Sequence, residues 1–111
     1  MKKISLDAIA REKIAEATAA NSRRSATSVY GGHEHTLRQT LIALAAGAEL
    51  SEHNNPGEAT VQVLSGRIEL VSGSDVWSGT TGDLLTVPDA PHSLRATTDA
   101  AVLLTTVVTA A

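Results

Sequence analysis

The sequence predicts an all-β domain, a sandwich or a barrel, preceded by one short α-helix. Two observations carry the β reading. Turn signals recur every eight to twelve residues: Gly31-Gly32, Gly47, Asn54-Asn55-Pro56-Gly57, Gly66, Ser72-Gly73-Ser74, Gly79 with Gly82, and Pro88 to Pro91. β-Branched residues become frequent after Asn21. A third observation separates the beginning of the chain: Leu6, Ile9, Ala10 and Ile14 form an apolar stripe at helical spacing.

The helix is expected over residues 5–20, SLDAIAREKIAEATAA. Ser5 suits the N-cap, but Ala8 stands where a full capping box would have Glu, so the cap is half of that motif. Asn21 and Ser22 end the helix. Its stripe is thin, and its expected role is to cover a barrel mouth or a partner subunit. Strands are expected near 25–30, 35–45, 48–53, 58–65, 67–72, 75–78, 83–87, 92–97 and 100–109. RIELVSGSDVWSG reads as a hairpin turning at Ser72–Ser74. The run AVLLTTVVTA is apolar on both faces and fits a central or interface strand, because an exposed one would invite edge pairing. The domain division is residues 1–22, a helical extension, and 23–111, the barrel.

Composition bounds the function. A chain of 111 residues suits a single core. With 42% apolar and 19% charged residues it is globular. One Trp, one Tyr and no Phe leave the core to aliphatic side chains. Nine basic against twelve acidic residues give a net charge of −3, and the only basic clusters are Lys2-Lys3 and Arg23-Arg24. Nucleic acid, which needs a concentrated basic footprint, is not an expected partner. The absence of cysteine excludes disulfides, thiolate metal sites and a Cys nucleophile. No run reaches the ~20 apolar residues of a membrane span, and the segment after the N-terminal lysines is charged rather than signal-like. A soluble cytoplasmic protein is expected. No Ser–His–Asp pattern, phosphate loop or dinucleotide fingerprint occurs.

Two stretches carry a family resemblance. In GAELSEHNNPGEATVQVLSG, Gly47 is followed by five residues and His53, and the stretch closes on Gly66. In GDLLTVPDAPHSL, Gly82 is followed by five residues and Pro88, and His92 lies shortly beyond. The chain resembles the cupins, small RmlC-like barrels of jelly-roll type. The resemblance covers residues 47–96, and the final strand also fits. It implies an all-β cupin jelly-roll barrel with an N-terminal helix, and a homodimer. Metal-binding cupins hold a divalent first-row metal with three imidazoles and one carboxylate. Among them are oxygenases, isomerases and decarboxylases, while metal-free members bind sugars or other small ligands. This chain departs from that ligand set. Asn55 stands at the second His position and Ala59 at the Glu position. The second motif lacks its glycine, reaches His92 one residue early, and has Ala96 at its Asn position.

The resemblance turns His53 and His92 into one cavity, as metal ligands or as two polar residues hydrogen-bonded to water. His33 and His35, in GGHEHTL, are spaced i and i+2 and would share one face of a strand. They are candidates for the missing ligands if that face is the interior, and a solvated or interface pair if Thr40, Ile42 and Leu44 face the core. Asn55 offers a carbonyl oxygen or serves turn chemistry. Gln62, which breaks TVQVL, and Trp77, the only indole, are further pocket candidates. Gln62 otherwise faces solvent, and Trp77 otherwise packs under the hairpin.

Three functions follow, in this order. The first is a small-molecule-binding protein with a reduced metal site, acting as a sensor or accessory domain. The second is a metal-dependent oxygenase or isomerase using the histidines and one Fe, Mn, Ni, Cu or Zn. The third is a structural or interaction barrel without a ligand.

Overall fold

The computed structural model describes residues 2–54 and 57–108. Helix α1 (Leu6–Ala19) starts at Ser5, whose hydroxyl accepts the Ala8 N–H. That satisfies one of the amide donors a helix start leaves without partners. Its stripe packs on Val29, Leu41, Leu64 and Ala101. The helix therefore covers the outer face of a sheet, not a barrel mouth. The cause lies in the strand beneath it: TLIAL sends Ile42 and Leu44 into the core and Leu41 outward. A strand apolar on both faces needs cover on both. No helix among the described residues is long and apolar enough to cross a membrane.

Among the described residues nine strands follow: β1 (Arg24–Tyr30), β2 (Leu37–Leu44), β3 (Glu49–His53), β4 (Ala59–Ser65), β5 (Arg67–Ser72), β6 (Asp75–Thr80), β7 (Leu84–Thr86), β8 (His92–Ala96) and β9 (Ala100–Val107). They form two sheets, ordered β1-β2-β9-β4-β7 and β3-β8-β5-β6, with antiparallel pairing throughout. This is the expected all-β jelly roll with an N-terminal helix. Each expected strand has its counterpart, though β2 begins later, β6 runs on to Thr80, and residue 109 lies outside the described residues. β9 is central, hydrogen-bonded on both edges, which accounts for its apolar run without a partner chain. The predicted hairpin joins β5 to β6, with Ser72 opposite Asp75.

The core lies between the sheets. Ile42, Val63 and Val102 from one sheet meet Ile68, Leu70 and Leu94 from the other. Register fixes what faces it. β2 and β9 pair without a shift from Leu37↔Val107 to Leu44↔Ala100. Alternation then puts Arg38, Thr40, Ile42 and Leu44 on one face. Ile42 and Leu44 belong to the core, so Arg38 and Thr40 stand on the inner face, farther along toward one end.

Candidate ligand site in the barrel

The end of the barrel near His53 and His92 encloses a cavity of about 100 Å³. Its walls are Ile42, Leu50, Val61, Leu70, Val87, Leu94, Val102 and Leu104, and its polar side chains are the two imidazoles. His53 and His92 are directly opposite each other on β3 and β8. Their rings meet edge to face, with centroids 4.6 Å apart. His92 is 3% exposed, whereas His53 sits exposed at the rim.

A β-bulge makes this pairing. From Leu50 to His53 β3 advances three residues, while β8 advances two, from Leu94 to His92. Strict alternation would turn Leu50 and His53 to opposite faces. The extra residue re-aims the strand so that both side chains line the cavity.

Hydrogen bonding orients both rings through Nδ1. His53 Nδ1 lies 3.0 Å from the Ser51 carbonyl oxygen, and His92 Nδ1 lies 2.9 Å from that of Ala90. A carbonyl oxygen only accepts, so each Nδ1 carries the hydrogen and donates it. In its neutral form such a ring has its lone pair on Nε2, the nitrogen away from the main chain. The site is an apolar chamber with two imidazole acceptors at its wall.

The other sequence candidates lie elsewhere. His33 and His35 are in the turn between β1 and β2, not on a strand, so the i and i+2 argument for a shared face does not apply. His33 is exposed. His35 Nδ1 is 3.2 Å from the Gly32 amide and 3.2 Å from Glu34 Oε1, and its ring packs edge-on to Tyr30. Neither lines the cavity. Gln62 is exposed on the outward face of β4, opposite Leu84 and Leu103, because its neighbours Val61 and Val63 take the core face. Trp77, 43% exposed, lines a separate groove with Leu84, Leu85 and Pro88 between β6 and β7. Neither lines the cavity with His53 and His92. Asn55 lies outside the described residues. Sequence reasoning missed the contributions of Leu50 and Val87. The signal for Leu50 was the three-residue step from Leu50 to His53, which only a bulge reconciles with two inward side chains.

A cupin domain model matches residues 40–108, more than half of the chain. The protein belongs to the cupin family. Its fold is similar to an RmlC-like cupin protein from Desulfovibrio desulfuricans at 30% identity, with a TM-score of 0.70, covering 79% of this chain and 85% of that one. It is also similar to a conserved protein of unknown function from Streptococcus pyogenes at 26% identity, with a TM-score of 0.73 and coverages of 83% and 80%. A salicylate 1,2-dioxygenase from Pseudaminobacter salicylatoxidans superposes with a TM-score of 0.73 at 23% identity, which shows the shared fold. This chain spans 33% of that enzyme. No curated protein matches in sequence.

Cupins commonly bind a transition metal, so the donor set bears on chemistry. Here His53 and His92 supply two nitrogens, and Ala59, at the family's carboxylate position, supplies none. No group of three His, Asp or Glu side chains suited to a metal occurs among the described residues. Protein metal centres normally use three or four protein ligands. The described residues do not by themselves fit a resident metal.

Proposed function

We propose that this cupin binds a small organic molecule in the barrel cavity, against His53 and His92, in a sensor or accessory role with a reduced metal site. The observation that carries the reading is the pairing of two imidazole acceptors with an otherwise aliphatic chamber. Apolar walls with a few fixed polar groups are the usual make-up of a ligand site. At about 100 Å³ the chamber is well below the ~300 Å³ at which drug-sized sites begin, so the ligand body has few heavy atoms.

The test combines metal analysis with fragment binding, using untagged protein. Less than stoichiometric Fe, Mn, Ni, Cu and Zn is expected, before and after anaerobic reloading. Small alcohols and acids are expected to shift the NMR methyl signals of Leu94, Val102 and Leu104. Stoichiometric metal that disappears in His53→Ala and His92→Ala would replace this reading with a metal-dependent oxygenase or isomerase. Neither metal nor fragment binding would leave a barrel with a structural or interaction role.

The same reading takes the protein as a homodimer. Support comes from Val76, Trp77 and Leu84, which are 49%, 43% and 64% exposed on the edge strands β6 and β7. Light scattering on the Trp77→Ser, Leu84→Ser double variant tests it. A dimer reduced to monomer supports this surface, and an unchanged dimer assigns the interface elsewhere.

A further inference from the structure

The ligand class can be narrowed by Arg38. The inner face of the five-stranded sheet rises in layers toward the mouth. Ile42 pairs with Val102, Thr40 with Leu104, and Arg38 with Thr106. Val102 and Leu104 line the cavity, and so do both histidines across from them. Register therefore puts Arg38 and Thr106 in the next layer out on that inner face, beyond the residues that line the cavity. The strand rises about 7 Å over the two residues from Thr40 to Arg38.

Arg38 is a half-buried cation, and its visible ties leave most of its donors available. Its Nε is 3.4 Å from the His35 carbonyl oxygen, a long bond. No carboxylate lies within salt-bridge distance of it among the described residues, although Arg95 and Arg11 each have one. A guanidinium presents five donors in a planar fork that matches a carboxylate. At a partly desolvated mouth that fork favours an anion over water.

The two ends of the site thus ask for different groups. The histidine end offers acceptors, and suits a hydroxyl that donates to Nε2. The Arg38 end offers donors, and suits a carboxylate. Between them the walls are aliphatic. The geometry points to a small hydroxy acid as the ligand class: a short apolar body, its hydroxyl against His53 and His92, its carboxylate at Arg38. This rests on the proposed ligand-binding reading and specifies its substrate.

Three probes separate the contributions: 6-hydroxyhexanoate with both groups, hexanoate with the carboxylate alone, and 1-hexanol with the hydroxyl alone. Dissociation constants are read by NMR titration of the isotope-labelled protein. 6-Hydroxyhexanoate is expected to bind at least tenfold tighter than 1-hexanol. Arg38→Gln is expected to weaken 6-hydroxyhexanoate and hexanoate about tenfold and to leave 1-hexanol unchanged. Arg38→Lys, which keeps the charge without the fork, should fall between. Circular dichroism on each variant establishes that it is folded. Binding of 1-hexanol with no added affinity for either acid, or equal binding of all probes to Arg38→Gln and the natural protein, would overturn the Arg38 assignment while leaving the pocket intact. Failure of all three probes, 1-hexanol included, would remove the pocket reading and this inference together.

Discussion

Val61 and Val63 offer a direct measure of whether the chamber is open in solution. They are identical side chains on one face of β4, two residues apart, and both belong to the core. Val61 lines the cavity, and Val63, fully buried, does not. Replacing either by Ile adds one methylene and keeps the β-branch. At Val61 the methylene enters free space, where burying one CH₂ contributes about 0.8 kcal/mol. An upper limit comes from the cavity itself: about 100 Å³ at ~24 cal/mol per Å³ is about 2.4 kcal/mol for filling all of it. At Val63 the added group meets close packing. Val63 Cγ2 already stands 3.1 Å from where a Cβ on Gly79 would lie. Overpacking of this kind costs about 1–3 kcal/mol. Val61→Ile should therefore be more stable by up to ~0.8 kcal/mol, and Val63→Ile less stable by ~1–3 kcal/mol. Urea unfolding with an unchanged m-value reads both. Val61→Ile should also weaken 1-hexanol binding, because it occupies the same space. If Val61→Ile destabilises as much as Val63→Ile, the chamber is packed shut and the argument for a ligand fails.

Two further predictions concern the frame. Gly47 and Gly66 both have left-handed backbones, at φ +84° and +89°. A Cβ on Gly47 would meet nothing within 4 Å, whereas one on Gly66 would run into the Asp99 carbonyl oxygen and Ala100. Gly47→Ala should then cost only the conformational penalty, ~1–2 kcal/mol, and Gly66→Ala a further ~1–3 kcal/mol. Equal urea midpoints for the two variants would refute the clash. The second prediction concerns pH. Glu16 is held below its ordinary value of 4.5 by its hydrogen bonds to Lys13 and then to Ser25, which ties α1 to β1. A lowered carboxylate contributes stability above its unfolded value and loses it as pH falls through the folded one. Glu16→Gln should trail the natural protein at pH 7, and the gap should close on acidification below about pH 4. A gap unchanged at pH 3 would show that the carboxylate charge is not its source.

The fold was legible because its signals are local and periodic. Turn residues at β spacing located the strands, and a run apolar on both faces marked the last one as central or interface; its place between β2 and β4 is the central one. The helix was found, but its docking place was not. That required knowing that Leu41 and Ala101 face outward together, which depends on pairing between distant strands. The site divides the same way. His53 and His92 were singled out by the resemblance to the cupin motifs, carried by their spacing from Gly47, Gly82 and Pro88. The bulge that unites them and the layer that places Arg38 come from register, and the carbonyls that hold Nδ1 come from the backbone conformation just before each histidine. Gln62 stayed open between solvent and pocket because a polar residue within an apolar run looks the same from either face. His33 and His35 stayed open between one strand face and a solvated pair, and both precede β2, which begins at Leu37.

What remains at His53 and His92 is orientation without donor number. Anchoring Nδ1 to a main-chain carbonyl is how proteins present Nε2 to a metal, and here both rings have that anchor. The anchors come from the backbone two residues before each histidine, so the barrel and its bulge supply them whether or not other ligands are present. Two oriented lone pairs in an aliphatic chamber still have a use. A ligand that shuts water away from the Nε2 of buried His92 without offering a donor forfeits about 1–3 kcal/mol, while His53 at the rim keeps access to water. A ligand that brings a donor recovers that cost, and one that brings only carbon does not. Selectivity for a hydroxyl over a methyl at the histidine end therefore requires no metal, only the desolvation that Leu94, Val102 and Leu104 impose.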